Sequence, residues 1–126
     1  MSTAEDPERL VLGYRLDIDV AVVTVTGEVD VTTCGLLRDA LLRVVADEHR
    51  RGLVVNLASV TFIDSTGIGV LVGIWHRIRA SHGSLALAAP SRQARRVLVT
   101  TGLTKAFSVY DTEAEAVQAF RQQPCG

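Results

Sequence analysis

Apolar residues recur along this chain with two different periods, and the alternation between those periods predicts the order of its elements. Leu10–Asp17 and Val20–Thr26 are β-type runs, with Asp17-Ile18-Asp19 as the turn between them. Gly27-Glu28-Val29-Asp30 is a connector. From Thr32 to about Asp47 the period becomes helical. Leu36, Leu37, Ala40, Leu41, Val44 and Val45 form one stripe, while Arg38, Asp39 and Arg43 fall off it. Leu53-Val54-Val55-Asn56-Leu57 is nearly all apolar, the pattern of a strand covered on both faces. A second helical run follows Asp64 and ends near Ala80, where Ser81-His82-Gly83 supplies the stop and Gly83 suits a left-handed cap. Ser84–Ala88 is another buried strand. Pro90-Ser91 opens a helix to about Thr101, and Gly102-Leu103 fits a Schellman-type end. Ala106–Val109 is a last short strand. Thr112 and Glu115 match a capping box for a final helix that presents Ala116, Val117 and Phe120 to the core.

Strands separated by helices pair mostly in parallel, through right-handed crossovers, and the first two strands form an antiparallel edge. The expected fold class is α/β, a single domain over residues 10–122. Its sheet is mixed but mostly parallel, with four to five strands and packed helices. Residues 1–9 and 123–126 are expected to be solvated tails.

Composition narrows the function. The chain has 126 residues, of which 48% are hydrophobic, enough for one domain with a real core and too many for disorder. A formal net charge of −1 gives no bulk attraction to nucleic acid. The apolar run Ile68–Trp75 is too short to span a bilayer, and Met1–Arg9 lacks the apolar segment of a secretory signal. Neither a membrane nor a nucleic acid is an expected partner. Two thiols, Cys34 and Cys125, fit a reducing cytoplasm without a disulfide. His49, His76 and His82 show no metal-ligand spacing, so neither a metal nor another cofactor is expected. Trp75 shares a helix stripe with Ile68, Leu71 and Ile78 and reads as core. Arg92, Arg95 and Arg96 read as a solvated face, and Asn56 as a buried hydrogen-bonding side chain.

The candidate chemistry lies in Val60-Thr61-Phe62-Ile63-Asp64-Ser65-Thr66-Gly67-Ile68-Gly69-Val70. A strand leads in and a helix leads out, so Ser65 stands where backbone N–H groups are free and the helix dipole favours negative charge. Three functional readings compete. A catalytic serine would need Gly-x-Ser-x-Gly, and Ile63 replaces the first glycine. It would also need a histidine, but His76 and His82 are carried away along the helix. A phosphate cradle would need a fuller glycine pattern than Gly67-Ile68-Gly69, since position 72 is Val72. The third reading makes Ser65 the substrate of another protein's kinase. On spacing alone a purely structural junction is favoured, with Asp64 or Ser65 as N-cap and Gly67 and Gly69 allowing close packing.

Resemblance shifts that balance. Phe62-Ile63-Asp64-Ser65-Thr66-Gly67-Ile68-Gly69-Val70-Leu71 resembles the signature of the STAS-domain anti-anti-sigma factors, or anti-sigma factor antagonists. Gly27-Glu28-Val29-Asp30 resembles the family's acidic turn and Val54-Val55-Asn56-Leu57 its central strand. Arg96-Val97-Leu98 through Thr101-Gly102-Leu103, with Phe107, is similar to its third helix and exit turn. The likeness covers about residues 12 to 120, in the family's order. It implies a non-enzymatic partner switch: the unphosphorylated protein binds an anti-sigma factor that is also a serine kinase, sigma is released, and phosphorylation of Ser65 ends the complex until a phosphatase resets it. By position Asp30, Asp64, Ser65, Thr66 and Gly67 would form the docking patch. Thr66 stands where many relatives carry a second serine and is a minor acceptor candidate. The alternative within the family is an interaction subunit of a transporter or a signalling scaffold that works without phosphorylation.

Overall fold

Five strands in the order β1-β2-β3-β4-β5 form one mixed sheet. In chain order the elements are β1 (Leu10–Asp17), β2 (Val20–Val29), α1 (Cys34–Val45), β3 (Gly52–Ile63), α2 (Ser65–Ala80), β4 (Ser84–Ala88), α3 (Arg92–Thr100), β5 (Ser108–Tyr110) and α4 (Glu113–Gln122). The computed structural model describes residues 9–18, 20–46 and 52–122. The tails 1–8 and 123–126, Asp19, Asp47, His49 and Cys125 lie outside the described residues. β1 runs antiparallel to β2, and every later pairing is parallel.

Each of the three parallel crossovers steps the same way across the sheet, so right-handed connections place α1, α2 and α3 on one face. Strand pleating then sorts the side chains. Ala21, Val23 and Val25 of β2 join Leu53, Val55 and Leu57 of β3 beneath Leu37, Leu41, Leu71, Ile74 and Leu98 of those helices. The alternate residues Val20, Val22, Val54, Ala86 and Ala88 face α4 and pack on Ala116, Val117 and Phe120. Phe120 covers Gly52 so closely that a Cβ there would stand 2.6 Å from its ring.

The structure lengthens two strands beyond their apolar signal. β3 was expected to stop at Leu57 but continues to Ile63, and β2 continues past Thr26 to Val29. Their pairing carries register shifts at Thr24/Thr26 and Gly27/Glu28. That bulged half leaves Ala58, Ser59, Thr61 and Phe62 exposed, which is why its sequence lacks the buried-strand pattern. The last strand is Ser108–Tyr110 rather than Ala106–Val109. Ala106 and Phe107 remain in a turn whose N–H groups both donate to Leu103 O. Leu36 was expected on the buried stripe of α1 and is 59% exposed. At the end of α2 the left-handed residue is His82 (φ 66°), not Gly83, whose N–H donates to Ile78 O at 2.9 Å.

Other local expectations hold in whole or in part. Gly102 is left-handed, and Leu103 N–H closes the α3 end on Leu98 O at 2.9 Å. Of the expected capping box at α4 one half forms: the Thr112 hydroxyl accepts from Glu115 N–H at 3.1 Å, while among the described residues Thr112 N–H has no return bond to the Glu115 carboxylate. Asn56 is half-buried; its amide donates to Glu113 Oε1 at 2.9 Å and its carbonyl accepts from Ala58 N–H. Trp75 packs edge-on against Phe107, with ring centres 5.6 Å apart, and the Arg79 guanidinium lies over its ring. Arg95 of the third-helix basic run pairs with Asp111. Among the described residues no helix is long and apolar enough to cross a membrane.

Candidate functional site

β2 and β3 end together, with Val29 opposite Ile63. The next residues, Asp30 and Asp64, therefore leave the sheet from adjacent parallel strands, whose spacing is about 4.8 Å. This is the carboxyl edge of the sheet, where parallel α/β folds place their sites. The structure thus brings the acidic turn and the serine junction to the same edge.

The exit of β3 is held from two sides. Asp64 N–H donates to Val29 O at 3.2 Å. On the other side the Gln93 side chain takes the place of a strand neighbour: its Oε1 accepts from Ile63 N–H at 2.8 Å and its amide donates to Ile63 O at 2.9 Å. Sequence reading passed over Gln93, because a glutamine early in a helix looks like any solvated residue.

Asp64, not Ser65, caps α2. Its backbone is extended (φ −115°, ψ −170°), and its Oδ1 accepts from Thr66 N–H at 3.0 Å and Gly67 N–H at 3.3 Å. The Thr66 hydroxyl also donates to Asp64 Oδ1. Ser65 is exposed, and its hydroxyl has no hydrogen-bond partner among the described residues. Two adjacent hydroxyls thus differ sharply: one is tied to a carboxylate and the other is available. His76 lies eleven residues along α2, roughly 16 Å at the helical rise, and His82 lies beyond the helix end, so neither reaches Ser65 as a base.

Gly67 and Gly69, alike in sequence as packing glycines, have different surroundings. A Cβ on Gly67 would meet Val29 Cγ1 at 2.6 Å and Ile63 Cγ1 at 2.7 Å, whereas one on Gly69, or on Gly73 a turn later, meets nothing within 4 Å. Gly73→Ala is expected to stabilise the fold by about 1 kcal/mol through helix propensity. Gly67→Ala is expected to destabilise it by about 1–2 kcal/mol, since overpacking against two buried side chains outweighs that gain. Chemical denaturation of both variants measures the opposite signs.

The acidic turn is equally fixed. Asp30 Oδ1 accepts from the Thr32 hydroxyl at 2.7 Å, Thr32 N–H at 2.9 Å and Thr33 N–H at 3.2 Å. Asp30 N–H donates in return to Thr33 Oγ1 at 3.0 Å, and the buried Thr33 hydroxyl donates to Glu28 O at 2.7 Å. Arg9 reaches in from the residue before β1. It donates to Thr32 Oγ1 at 2.6 Å and Glu28 Oε1 at 2.9 Å, and it pairs with Asp30. Arg9, Thr32 and Thr33 carried no motif that could have singled them out.

The Thr32 hydroxyl foremost, then Thr32 N–H and Arg9, hold the Asp30 carboxyl at a pKa of about 2. The folded value lies below the ordinary 3.8, so the ionised group contributes stability above about pH 4, and the contribution fades as pH falls through about 2. Asp30→Asn is therefore expected to flatten the acid limb of the stability curve between about pH 4 and 2, read by denaturant midpoints across that range.

Residues 15–116 match the model of the STAS domain, and the chain belongs to the STAS domain family. Its similarity extends to named regulators. It is 32% identical over 102 residues to the anti-sigma-F factor antagonist RsfB of Mycobacterium tuberculosis, covering 81% of this chain and 82% of that protein. It is 31% identical over 101 residues to the anti-sigma-B factor antagonist of Listeria monocytogenes, covering 79% and 86%. The crystal structure of an anti-sigma factor antagonist from Mycobacterium paratuberculosis superposes with a TM-score of 0.83 at 30% identity, over 97% of this chain and all of that one.

Proposed function

We propose that this chain is a cytoplasmic anti-sigma factor antagonist that works by partner switching. Unphosphorylated, it docks the Asp30–Asp64 edge on an anti-sigma factor that is also a serine kinase, and the sigma factor is freed. The kinase transfers phosphate to Ser65, the complex separates, and a phosphatase restores the binding form. The names of the relatives support the regulatory class. The observation that carries the mechanism is the contrast between the two hydroxyls: Ser65 stands exposed and unengaged at the first position of α2, while Thr66 is held by the Asp64 cap.

A helix start tolerates the product. The helix dipole favours a phosphate there; with the Thr66 and Gly67 N–H groups already held by Asp64, it is this dipole that lets the fold absorb about 1.5–2 extra negative charges, which a docked partner would meet at close range. Gly67 lets α2 pack onto Val29 and Ile63 and so fixes where Ser65 projects.

The test is to incubate the purified chain with ATP and each anti-sigma factor kinase of its own cell. Wild type is expected to gain one phosphate on Ser65. Ser65→Ala is expected to bind the kinase like wild type and gain none. Binding without any transfer to Ser65 would favour a constitutive interaction module instead.

A further inference from the structure

A groove of about 760 Å³ runs between α1 and α2, opening beside Thr66 and ending near Ala80. Leu42, Val70 and Ile74 supply its apolar surface. Gly69 and Gly73, one turn apart on α2, leave bare backbone along one side, since a Cβ on either would stand in open space. Arg38 of α1 and Arg77 of α2 flank the groove, and among the described residues no carboxylate lines it. Among the described residues Arg38 has only a 3.8 Å contact with Asp39, both exposed, and Arg77 has no ion pair. The groove therefore offers an apolar floor and two cations that no carboxylate of its described lining neutralises.

We infer that this groove docks an amphipathic helix of the partner, apolar along one stripe and bearing carboxylates that meet Arg38 and Arg77. The inference rests on the partner-switching reading and deepens it. Phosphate on Ser65 would sit one residue from Thr66 at the mouth of the groove. It would repel partner carboxylates near that mouth, whereas Arg77, twelve residues along α2 and roughly 18 Å away, lies beyond its reach. Release of the partner then follows from like charge at one end of the groove, without any rearrangement of the fold.

The experiment titrates the purified kinase that labels Ser65 against three variants by calorimetry. Gly73→Trp fills the groove from a position with open space above it and leaves Ser65 and the cap untouched. It is expected to weaken binding by at least about tenfold. Arg38→Glu/Arg77→Glu is expected to weaken binding by about a hundredfold at low salt and by less at high salt, because the lost contacts are screened. Gln118→Glu, on α4 across the sheet, is expected to bind like wild type. Thermal melts confirm that each variant is folded, and the single Arg77→Glu substitutes for the pair if that pair melts early. If Gly73→Trp and the charge-reversed protein both bind within about twofold of wild type while the kinase still labels Ser65, the groove is not the docking site and the switch stands. If no kinase binds or labels the wild-type chain, the switch reading falls and the groove assignment falls with it.

Discussion

Ser65→Asp is expected to keep the fold and to weaken binding of the anti-sigma factor partner about a hundredfold. The first half follows from where the residue sits. Ser65 is exposed at the start of α2, and the cap is made by Asp64 alone, so a carboxylate at 65 displaces nothing and meets a favourable dipole. The second half is electrostatic. A unit charge about 5 Å from a like charge, at an effective dielectric near 20, is worth about 3 kcal/mol, which is roughly a hundredfold in affinity. The phosphoserine carries more charge than aspartate and is expected to lose more. A calorimetric titration paired with a thermal melt separates the two halves. An unchanged melt with unchanged affinity would show that charge at this position does not control the complex.

Gly27→Ala is expected to be the most damaging single methyl in the described fold, costing about 3 kcal/mol or more. Gly27 lies in the bulge of β2 at φ 116°, a conformation that side chains rarely adopt. A Cβ there would stand 2.0 Å from the Arg9 carbonyl oxygen, which is backbone and cannot swing aside. That same carbonyl accepts from Glu28 N–H at 2.8 Å, so moving it pulls Arg9 off the acidic turn. The loss therefore has two readouts: a lower denaturation midpoint, and weaker partner binding even at temperatures where the variant is fully folded. A variant as stable as wild type would mean that the bulge can relax in a way this geometry does not allow.

Gly27 also shows where sequence reading stopped. Its pattern was legible as a connector, because glycine beside acidic residues breaks the apolar alternation. That the strand continues through it as a bulge was not legible, because pairing after a bulge is set by the neighbouring strand rather than by periodicity. The α/β architecture, the antiparallel first pair and the Schellman end at Gly102 could all be read locally, since each depends on a few residues in sequence. The serine junction could be read in the same way, down to an aspartate or serine cap. Which of the two caps, and which hydroxyl is left free, is set by the three-dimensional turn, in which the Thr66 hydroxyl folds back onto Asp64 and that of Ser65 does not. The supports of the site were hidden for another reason. Gln93 and Arg9 act across 30 and 21 residues of chain, on Ile63 and Asp30 respectively, and nothing local marks a glutamine or an arginine for a distant partner.

The most direct test of the switch is a phosphosite map made alongside a binding assay. The chain is incubated with its cognate kinase and ATP, the phosphorylated residue is located by mass spectrometry, and the modified protein is titrated back onto the kinase. A single phosphate on Ser65, none on Thr66, an unchanged fold, and affinity reduced by at least about a hundredfold are expected. Phosphate on Thr66 in place of Ser65, or a Ser65-phosphorylated protein that binds as tightly as the unmodified one, would contradict the switch.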